Sequence, residues 1–447
     1  MNRNRIRREH LEQLREKMSR GLFPQWVITD PDVYELELEQ IFSKTWQFLG
    51  HESELREPGD YVTRWMVNDP VLLVRTQTGD ISAYVNSCTH RGAQLCTADC
   101  GNRQTFTCPY HGWTFQLDGT LIGVTLGNKV YGEELKREEW GLRKIPRVES
   151  YLGMIFGNLD PNAEPLSEYL GDMKWYLQML VGRTPNGVEV VGAPQRWVVD
   201  ANWKVTYENF AGDPYHVVTT HSSTVEVDIS PRAADLPPRT GYHVVLDHGH
   251  AMNLGVYRDV PERPYQGMPE SLWPLFQQQL NPVQLDLLAR SSIFTGGIYP
   301  TLSFNSAPHG FHGDFHNFLN FRVWRPLGPE KVEIWSWFMV DREAPDAYKR
   351  ASYQAYISSF GPSGTLEQDD TENWARVIQA SRGWMARNKD LSYNNVYNYL
   401  MGFARLEPNE DFPGPGTAYI GFNDNTSRSI QQVWLDYISA GIKEGEQ

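Results

Sequence analysis

The chain has 447 residues, 40% of them hydrophobic and 21% charged. That size and texture predict an ordinary globular protein of two domains with ample cores. A formal net charge of −14 argues against nucleic acid as a partner, because phosphate binding needs clustered Lys and Arg. No apolar run reaches the roughly 18 residues that span a bilayer.

The first twenty residues are Arg-rich but carry Glu9, Glu12 and Glu16 and no apolar core. They read as a solvated helix rather than a secretory signal or transit peptide. Asp30-Pro31-Asp32 opens a helix, with Asp30 as N-cap and Pro31 at the first helical position. Tyr34, Leu38, Ile41, Phe42 and Thr45 then recur on one face. From about Asp60 the texture becomes short β-branched and aromatic runs. Pro70 to Arg75 and Ile81 to Val85 flank a Thr78-Gly79-Asp80 turn. Thr105 to Thr107 and Trp113 to Leu117 precede an Asp118-Gly119 turn into Thr120 to Val124. This antiparallel module closes near Asp160-Pro161-Asn162.

The rest is mixed. Strands are expected at Arg196 to Val199, Tyr242 to Leu246, Phe318 to Trp324 and Val332 to Val340. Helices are expected near Lys204 to Phe210, Ala344 to Phe360 and Leu366 to Arg382. The predicted class is α+β. The expected divisions are an N-terminal helical segment (1–44) packing on the larger domain, a small β domain (45–162) and the larger domain (163–447).

Both β-module loops carry chemistry. Cys88-Thr89-His90-Arg91-Gly92 and Cys108-Pro109-Tyr110-His111-Gly112-Trp113 give C-x-H and C-x-x-H, separated by residues 91–107. Such a set could bind zinc tetrahedrally. Zinc fingers, however, pair Cys with Cys and His with His, whereas each half here offers one of each. Arg91-Gly92, Pro109, Gly112 and Trp113 frame the halves as in a Rieske [2Fe–2S] site. There two thiolates hold one iron and two imidazoles the other, which raises the potential. The remaining two cysteines, Cys96 and Cys100, are read as inert small hydrophobes, with a redox pair as the alternative. With no dispersed disulfide framework, a cytoplasmic location is expected.

A second site is suggested by Asn209-Phe210-Ala211-Gly212-Asp213-Pro214-Tyr215-His216 and the following His221. Five residues amount to about 500° of helical rotation, so a local break is needed for both His to reach one metal. The segment Leu366-Glu367-Gln368-Asp369-Asp370-Thr371-Glu372-Asn373-Trp374 supplies a carboxylate. Asp370 lies on the apolar stripe of Leu366, Trp374, Val377 and Ile378, while Asp369 is expected to face solvent with Glu372 and Arg376. A lone carboxylate on a buried face is expensive unless it is paired or binds a metal. Two His and one Asp would form a facial triad for non-haem iron. His309, His312 and His316, and His243, His248 and His250, form two further groups. They lack a comparable carboxylate and are read as surface or loop histidines.

With these motifs in their order and spacing, the chain resembles, over essentially its whole length, the large (α) subunit of the Rieske non-haem iron aromatic-ring-hydroxylating dioxygenases, such as the naphthalene and biphenyl enzymes. The resemblance implies a Rieske β domain and a helix-grip catalytic domain on an antiparallel sheet. It implies a [2Fe–2S] cluster on Cys88, His90, Cys108 and His111, with Tyr110 and Trp113 beside it, and Fe(II) on His216, His221 and Asp370. Asp213 matches the acid that links a cluster His of one subunit to an iron-ligating His of the next, with Asn209 nearby. Pro214 departs from the usual pattern and leaves open a second reading, in which Asp213 only caps a helix. The extra Cys pair of high-potential respiratory Rieske proteins is replaced by Ala93 and Tyr110. Phe210, Val217, Ile293, Thr295, Phe360 and Leu366 match positions lining the family's substrate cavity, though each is also compatible with ordinary core.

The family's chemistry draws two electrons from NAD(P)H. The chain has no G-x-G-x-x-G after a strand and no four-Cys ferredoxin pattern, and Gly414-Pro415-Gly416 lacks a third glycine. The resemblance therefore implies a separate reductase and ferredoxin, a small β subunit in an α₃β₃ assembly, and oxidation of an aromatic ring to a cis-dihydrodiol. The alternatives are a Rieske monooxygenase (salicylate hydroxylase-like or an O-demethylase) and a pure electron carrier.

Overall fold

The structure, a computed structural model, describes residues 6–227, 229, 236–311, 314–389, 396–403 and 406–441. It forms two compact units. Phe42–Leu166 make the smaller, and Met1–Ile41 with Ser167–Gln447 the larger.

The smaller unit is built on antiparallel β sheets, with a short α-helix at Gly127–Val130. Its strands are β1 (Gln47–His51), β2 (Asp60–Met66), β3 (Asp69–Arg75), β4 (Ile81–Val85), β5 (Cys100–Asn102), β6 (Thr105–Thr107), β7 (Thr114–Gln116), β8 (Leu121–Gly123), β9 (Arg147–Tyr151) and β10 (Met154–Asn158). They form three sheets, ordered β9–β10–β1, β4–β3–β2–β5 and β6–β7–β8. The run Val71-Leu72-Leu73-Val74 on β3 feeds two cores, because successive side chains leave opposite faces of a strand. Leu72 and Val74 join Tyr84, Phe106, Phe115 and both motif cysteines, Cys88 and Cys108. Val71 and Leu73 join Val62, Ala83 and Ile155. The sulfur pair is thus anchored in a core while the loops that carry it run at the strand ends.

The larger unit is built on a nine-stranded sheet. Its strands are β11 (Val188–Val190), β12 (Gln195–Val199), β13 (Arg239–Val245), β14 (Ala251–Tyr257), β15 (Ser291–Ile298), β16 (Leu302–Phe311), β17 (Asp314–Pro326), β18 (Val332–Asp341) and β19 (Thr417–Ile420). The order is β11–β18–β17–β16–β15–β14–β13–β19, with β12 also paired to β18, and every pairing is antiparallel. The helices used below are α1 (Arg8–Met18), α2 (Pro31–Glu37), α3 (Trp203–Ala211), α4 (Val217–Thr220), α5 (Asp346–Phe360), α6 (Thr365–Ser381) and α7 (Asn425–Gly441). Together with the antiparallel sheets they make the α+β class expected from the sequence.

The Asp30 cap forms as its sequence predicts: Oδ1 accepts from the amides of Asp32 (2.9 Å) and Val33 (3.1 Å). Helix α2 then runs into a π-turn at Leu38–Phe42. Glu37 at its end is fully buried and ties three distant elements together. It accepts from Lys204 Nζ (2.5 Å) and Trp203 Nε1 (2.8 Å) of α3 and from Trp434 Nε1 (2.8 Å) of α7. Removing one partner of such a buried pair costs about 3–5 kcal/mol, because the other charge is left stranded.

The histidine groups outside the motifs differ from expectation. His243 on β13, His309 on β16 and His250 are buried rather than at the surface. Glycine-rich surroundings suggested loops, but here the glycines lie within or beside the strands of the central sheet. His250 is held by both ring nitrogens, to the Tyr169 carbonyl (2.9 Å) and the Tyr299 amide (3.0 Å). Burial pushes His243 and His309 down to about 4 and His250 to about 3, so all three are neutral core groups. His248 is half-buried. His316 sits 3.1 Å from Asp314, and His312 lies outside the described residues. Among the described residues no helix is long and apolar enough to cross a membrane.

Candidate metal centres and active site

The two motif loops of the smaller unit are built alike. In the first, the Gly92 amide donates to the Cys88 carbonyl (2.8 Å) and the Cys88 amide to that of Ala93 (2.8 Å). In the second, Gly112 donates to Cys108 (3.0 Å) and Cys108 to Trp113 (2.7 Å). Each turn closes on a glycine with φ near +70°, Gly92 at 74° and Gly112 at 72°, a conformation that side chains with a Cβ disfavour. At Gly112 there is also no room, since a Cβ would collide with Thr125 Oγ1.

These turns bring the predicted ligands together. Cys88 and Cys108 are buried free thiols. Burial, chiefly, pushes the Cys88 thiol up, and the adjacent Cys108 adds to it. The His90 and His111 rings lie 4.6 Å apart. His90 stacks on the buried Trp113 (4.6 Å, 9° between planes), and its Nε2 lies 3.0 Å from the Tyr131 hydroxyl. The other ring nitrogen, His90 Nδ1, is buried with no hydrogen-bond partner among the described residues. An imidazole held at Nε2 with an orphaned Nδ1, next to two buried thiols, is what an iron–sulfur cluster with mixed ligation requires. Tyr110 is exposed, its ring 3.8 Å from that of His111. Of the other cysteines, Cys96 is buried and pushed up to about 11 by that burial, and Cys100 is exposed. Both are unbridged.

The second site lies in the larger unit. The break required between the two histidines is present. α4 is a single turn, with His216 at its N-cap and His221 at its C-cap (φ −102°, ψ 17°). His216 Nε2 and His221 Nε2 each lie 3.4 Å from Asp370 Oδ1. Among the described residues these three make the one group of side chains whose ligand atoms, all within 4.8 Å of one another, could hold a metal. Asp370 is only 2% exposed and its Oδ1 has no hydrogen-bond partner among the described residues. A buried orphaned carboxylate oxygen between two imidazoles fits a cation.

Second contacts orient both rings. His216 Nδ1 meets the main-chain carbonyl of Asp213, while the Asp213 carboxylate accepts from the His216 amide (3.2 Å) and lies 3.6 Å from Nδ1. Burial pulls His216 down, but Asp213 and then Asp370 outweigh it and leave the ring above its ordinary value. The helix does not start at Pro214, so Asp213 is not its N-cap, and its side chain remains 40% exposed. Asn209 Nδ2 lies 3.4 Å from His216 Nε2.

Asp369 corrects the sequence reading. It does not face solvent with Glu372 and Arg376, whose ion pair is exposed. It is 31% exposed, with Oδ2 3.3 Å from His221 Nδ1. One residue is about 100° of rotation, which carries Asp369 to the flank of the buried stripe and not to its far side.

Of the expected cavity residues, Phe210 and Phe360 are brought together (5.6 Å between rings) and buried. Ile293, Thr295 and Leu366 are half-buried, and Val217 is exposed. Two buried features were missed. Arg322 on β17 pairs with Glu367 (2.6 Å) beneath the Phe210 and Phe360 rings. Glu367 could have been found, since it precedes Asp370 by three positions on the same stripe. Glu208 accepts from the Tyr399 hydroxyl (2.9 Å) and lines a 360 Å³ cavity with Asp213, His216 and Asn209. Burial, then the charge of Asp213, pushes Glu208 up to about 8.

Comparison with known proteins agrees with this geometry. Residues 45–132 match the Rieske [2Fe-2S] domain, and residues 167–440 the ring hydroxylating alpha subunit catalytic domain. The chain is 33% identical to the biphenyl dioxygenase subunit alpha of Paraburkholderia xenovorans, over 94% of this chain and 91% of that one. It is 32% identical to the N,N-dimethyl phenylurea N-demethylase subunit alpha of a Sphingobium species, over 97% and 95%. The crystal structure of naphthalene 1,2-dioxygenase from Rhodococcus sp. bound to indole superposes with a TM-score of 0.92 at 39% identity, covering 98% of this chain and 100% of that one. The chain therefore belongs to the Rieske ring-hydroxylating oxygenases, as an α subunit whose cofactors are a [2Fe–2S] cluster and a mononuclear iron.

Proposed function

We propose that this α subunit is the terminal oxygenase of an aromatic-ring dioxygenase, forming a cis-dihydrodiol. The reading rests on the chain-long likeness to naphthalene 1,2-dioxygenase at 39% identity. Cys88, His90, Cys108 and His111 hold the cluster, and His216, His221 and Asp370 the iron. When bound, the cluster supplies single electrons and the iron supplies dioxygen activation.

The protein's own groups do the rest. Asp369 and the Asp213 carbonyl fix the two imidazoles so that Nε2 of each faces Asp370. Such outer partners set the tautomer and raise ligand basicity. Asp213 keeps an exposed carboxylate beside His216, able to accept a second imidazole N–H from the cluster domain of a neighbouring α subunit in an α₃β₃ assembly. Tyr110, exposed against His111, lies on the opposite side of that junction. Phe210 and Phe360 exclude water and offer aromatic faces to a planar ring. A ferredoxin and an NAD(P)H-dependent reductase deliver the electrons from outside the chain.

A second reading is a Rieske monooxygenase, favoured by the 32% likeness to the N-demethylase subunit. A product screen over aromatics of one to four rings, with the small subunit and electron-transfer proteins supplied, separates the two. Vicinal cis-diols are expected. Dealkylated or singly hydroxylated products alone would establish the second reading.

A further inference from the structure

The two half-sites of the smaller unit are alike in their turns but not in what surrounds their imidazoles. Residues 126–140 fold back over the first half. Leu126 opens this segment at φ 55°, ψ 26° and precedes the one-turn helix Gly127–Val130. A left-handed conformation is costly for a residue with a Cβ and has to be held by its surroundings. The turn ends on Tyr131, whose amide donates to the Gly127 carbonyl (2.8 Å). Tyr131 and Leu135 pack on the core that contains Cys88 and Cys108. Farther along, Thr89 Oγ1 donates to the Trp140 carbonyl (2.7 Å), and the Trp140 ring meets Trp113 edge to face at 5.9 Å.

This cover brings one polar atom to the first motif. The Tyr131 hydroxyl lies 3.0 Å from His90 Nε2. The His90 ring is stacked on Trp113, and Tyr131 stands edge-on to both rings, at 84° and 78°. Nδ1 is the nitrogen left for iron, so Nε2 carries the hydrogen and donates to the Tyr131 oxygen. Among the described residues no side chain bonds the His111 ring in this way. Its neighbour Tyr110 is exposed. One imidazole is therefore held by its own chain and the other is left open.

We propose that Tyr131 lowers the reduction potential of the cluster through His90. This rests on the reading of His90 as an iron ligand. Reduction adds one electron, supplied by the external donor, to the cluster. Before that electron arrives the iron withdraws more charge from the ring, and the ring N–H is the stronger donor. The bond to Tyr131 thus stabilises the oxidised cluster more than the reduced one. Two imidazole ligands raise the potential, and Tyr131 draws part of that rise back. The cluster becomes a stronger donor of single electrons to the iron site. Tyr131 is a positioning residue, because it touches the ligand and not the irons.

The test compares wild type, Tyr131→Phe and Thr89→Val, each as the cluster-loaded α subunit assembled with its small subunit. Tyr131→Phe keeps the ring and removes only the hydroxyl. Thr89→Val loosens the same covering segment at Trp140 and leaves the Tyr131–His90 bond in place. Midpoint potentials are read from the visible spectrum at one fixed pH. Pulsed EPR of the reduced cluster reads the outer nitrogens of the two imidazoles. One hydrogen bond favouring one redox state shifts the equilibrium about tenfold. Tyr131→Phe should therefore raise the midpoint by ~59 mV, tenfold for a one-electron couple. The nitrogen coupling of one imidazole should change while that of the other stays. Thr89→Val should keep the wild-type midpoint. A midpoint that does not rise in Tyr131→Phe overturns the proposal. So does an equal rise in Thr89→Val, which would assign the effect to packing of the segment. A wild-type cluster without imidazole couplings fails the ligand assignment itself and takes this inference with it.

Discussion

Asp369 and Asp370 are adjacent, carry the same charge and sit at the same imidazole, yet they should fail differently. Asp370 Oδ1 is 3.4 Å from both Nε2 atoms and is sealed from solvent. Asp370→Ala removes one of three candidate ligands and the site's buried carboxylate, leaving only the two imidazoles. Iron should be lost completely on dialysis. Asp369 Oδ2 touches only the outer nitrogen of His221, at 3.3 Å and partly in solvent. Asp369→Ala keeps all three ligands and frees one ring to turn. Losing an outer partner typically costs 10- to 100-fold in metal affinity, and each tenfold is about 1.4 kcal/mol. Asp369→Ala should therefore retain iron under mild dialysis and release it at roughly 10- to 100-fold lower chelator concentration than wild type. The assay is iron content against a chelator series, with the visible spectrum of the cluster as the internal control. The reasoning is refuted if Asp369→Ala strips the iron while Asp370→Ala keeps it, or if the two titrate alike.

Three further outcomes are expected. The double substitution Cys96→Ser, Cys100→Ser should retain the [2Fe–2S] EPR signal, since Cys96 is a buried thiol pushed up to about 11 by that burial and Cys100 an exposed one outside both motifs; loss of the signal in a folded protein contradicts the ligand set. Asp213→Asn should keep both centres loaded and the cluster reducible, while single-turnover reoxidation of the cluster with substrate and oxygen slows sharply; a wild-type rate would leave Asp213 a purely local turn residue. Glu208 is raised from 4.5 to about 8 in the folded protein, mainly by burial. Its stabilising contribution is therefore present below about pH 4.5 and lost as pH rises through about 8. The Tm of Glu208→Gln relative to wild type should rise steadily across that window, and a pH-independent difference counts against a buried protonated carboxyl.

The candidate cluster ligands were legible in the sequence because each half-site is local. A Cys, a His and a Gly within five or six residues specify one turn, and two such turns complete the set. The candidate iron triad was accessible for a different reason. The α6 stripe placed Asp370 on a buried face, and the spacing of His216 and His221 demanded the break that α4 supplies. Asp369 escaped because a helical wheel divides residues into faces, while a flank position can still reach a neighbour. The buried histidines escaped because glycines in and beside β13 to β16 looked like loop punctuation.

Turnover under ¹⁸O₂ tests the central claim most directly. With the small subunit, the electron-transfer proteins and an aromatic substrate supplied, the diol isolated should carry two labelled oxygen atoms, both from one molecule of dioxygen. A product carrying a single labelled oxygen, or a dealkylated product, would contradict ring dihydroxylation and leave the chain a monooxygenase.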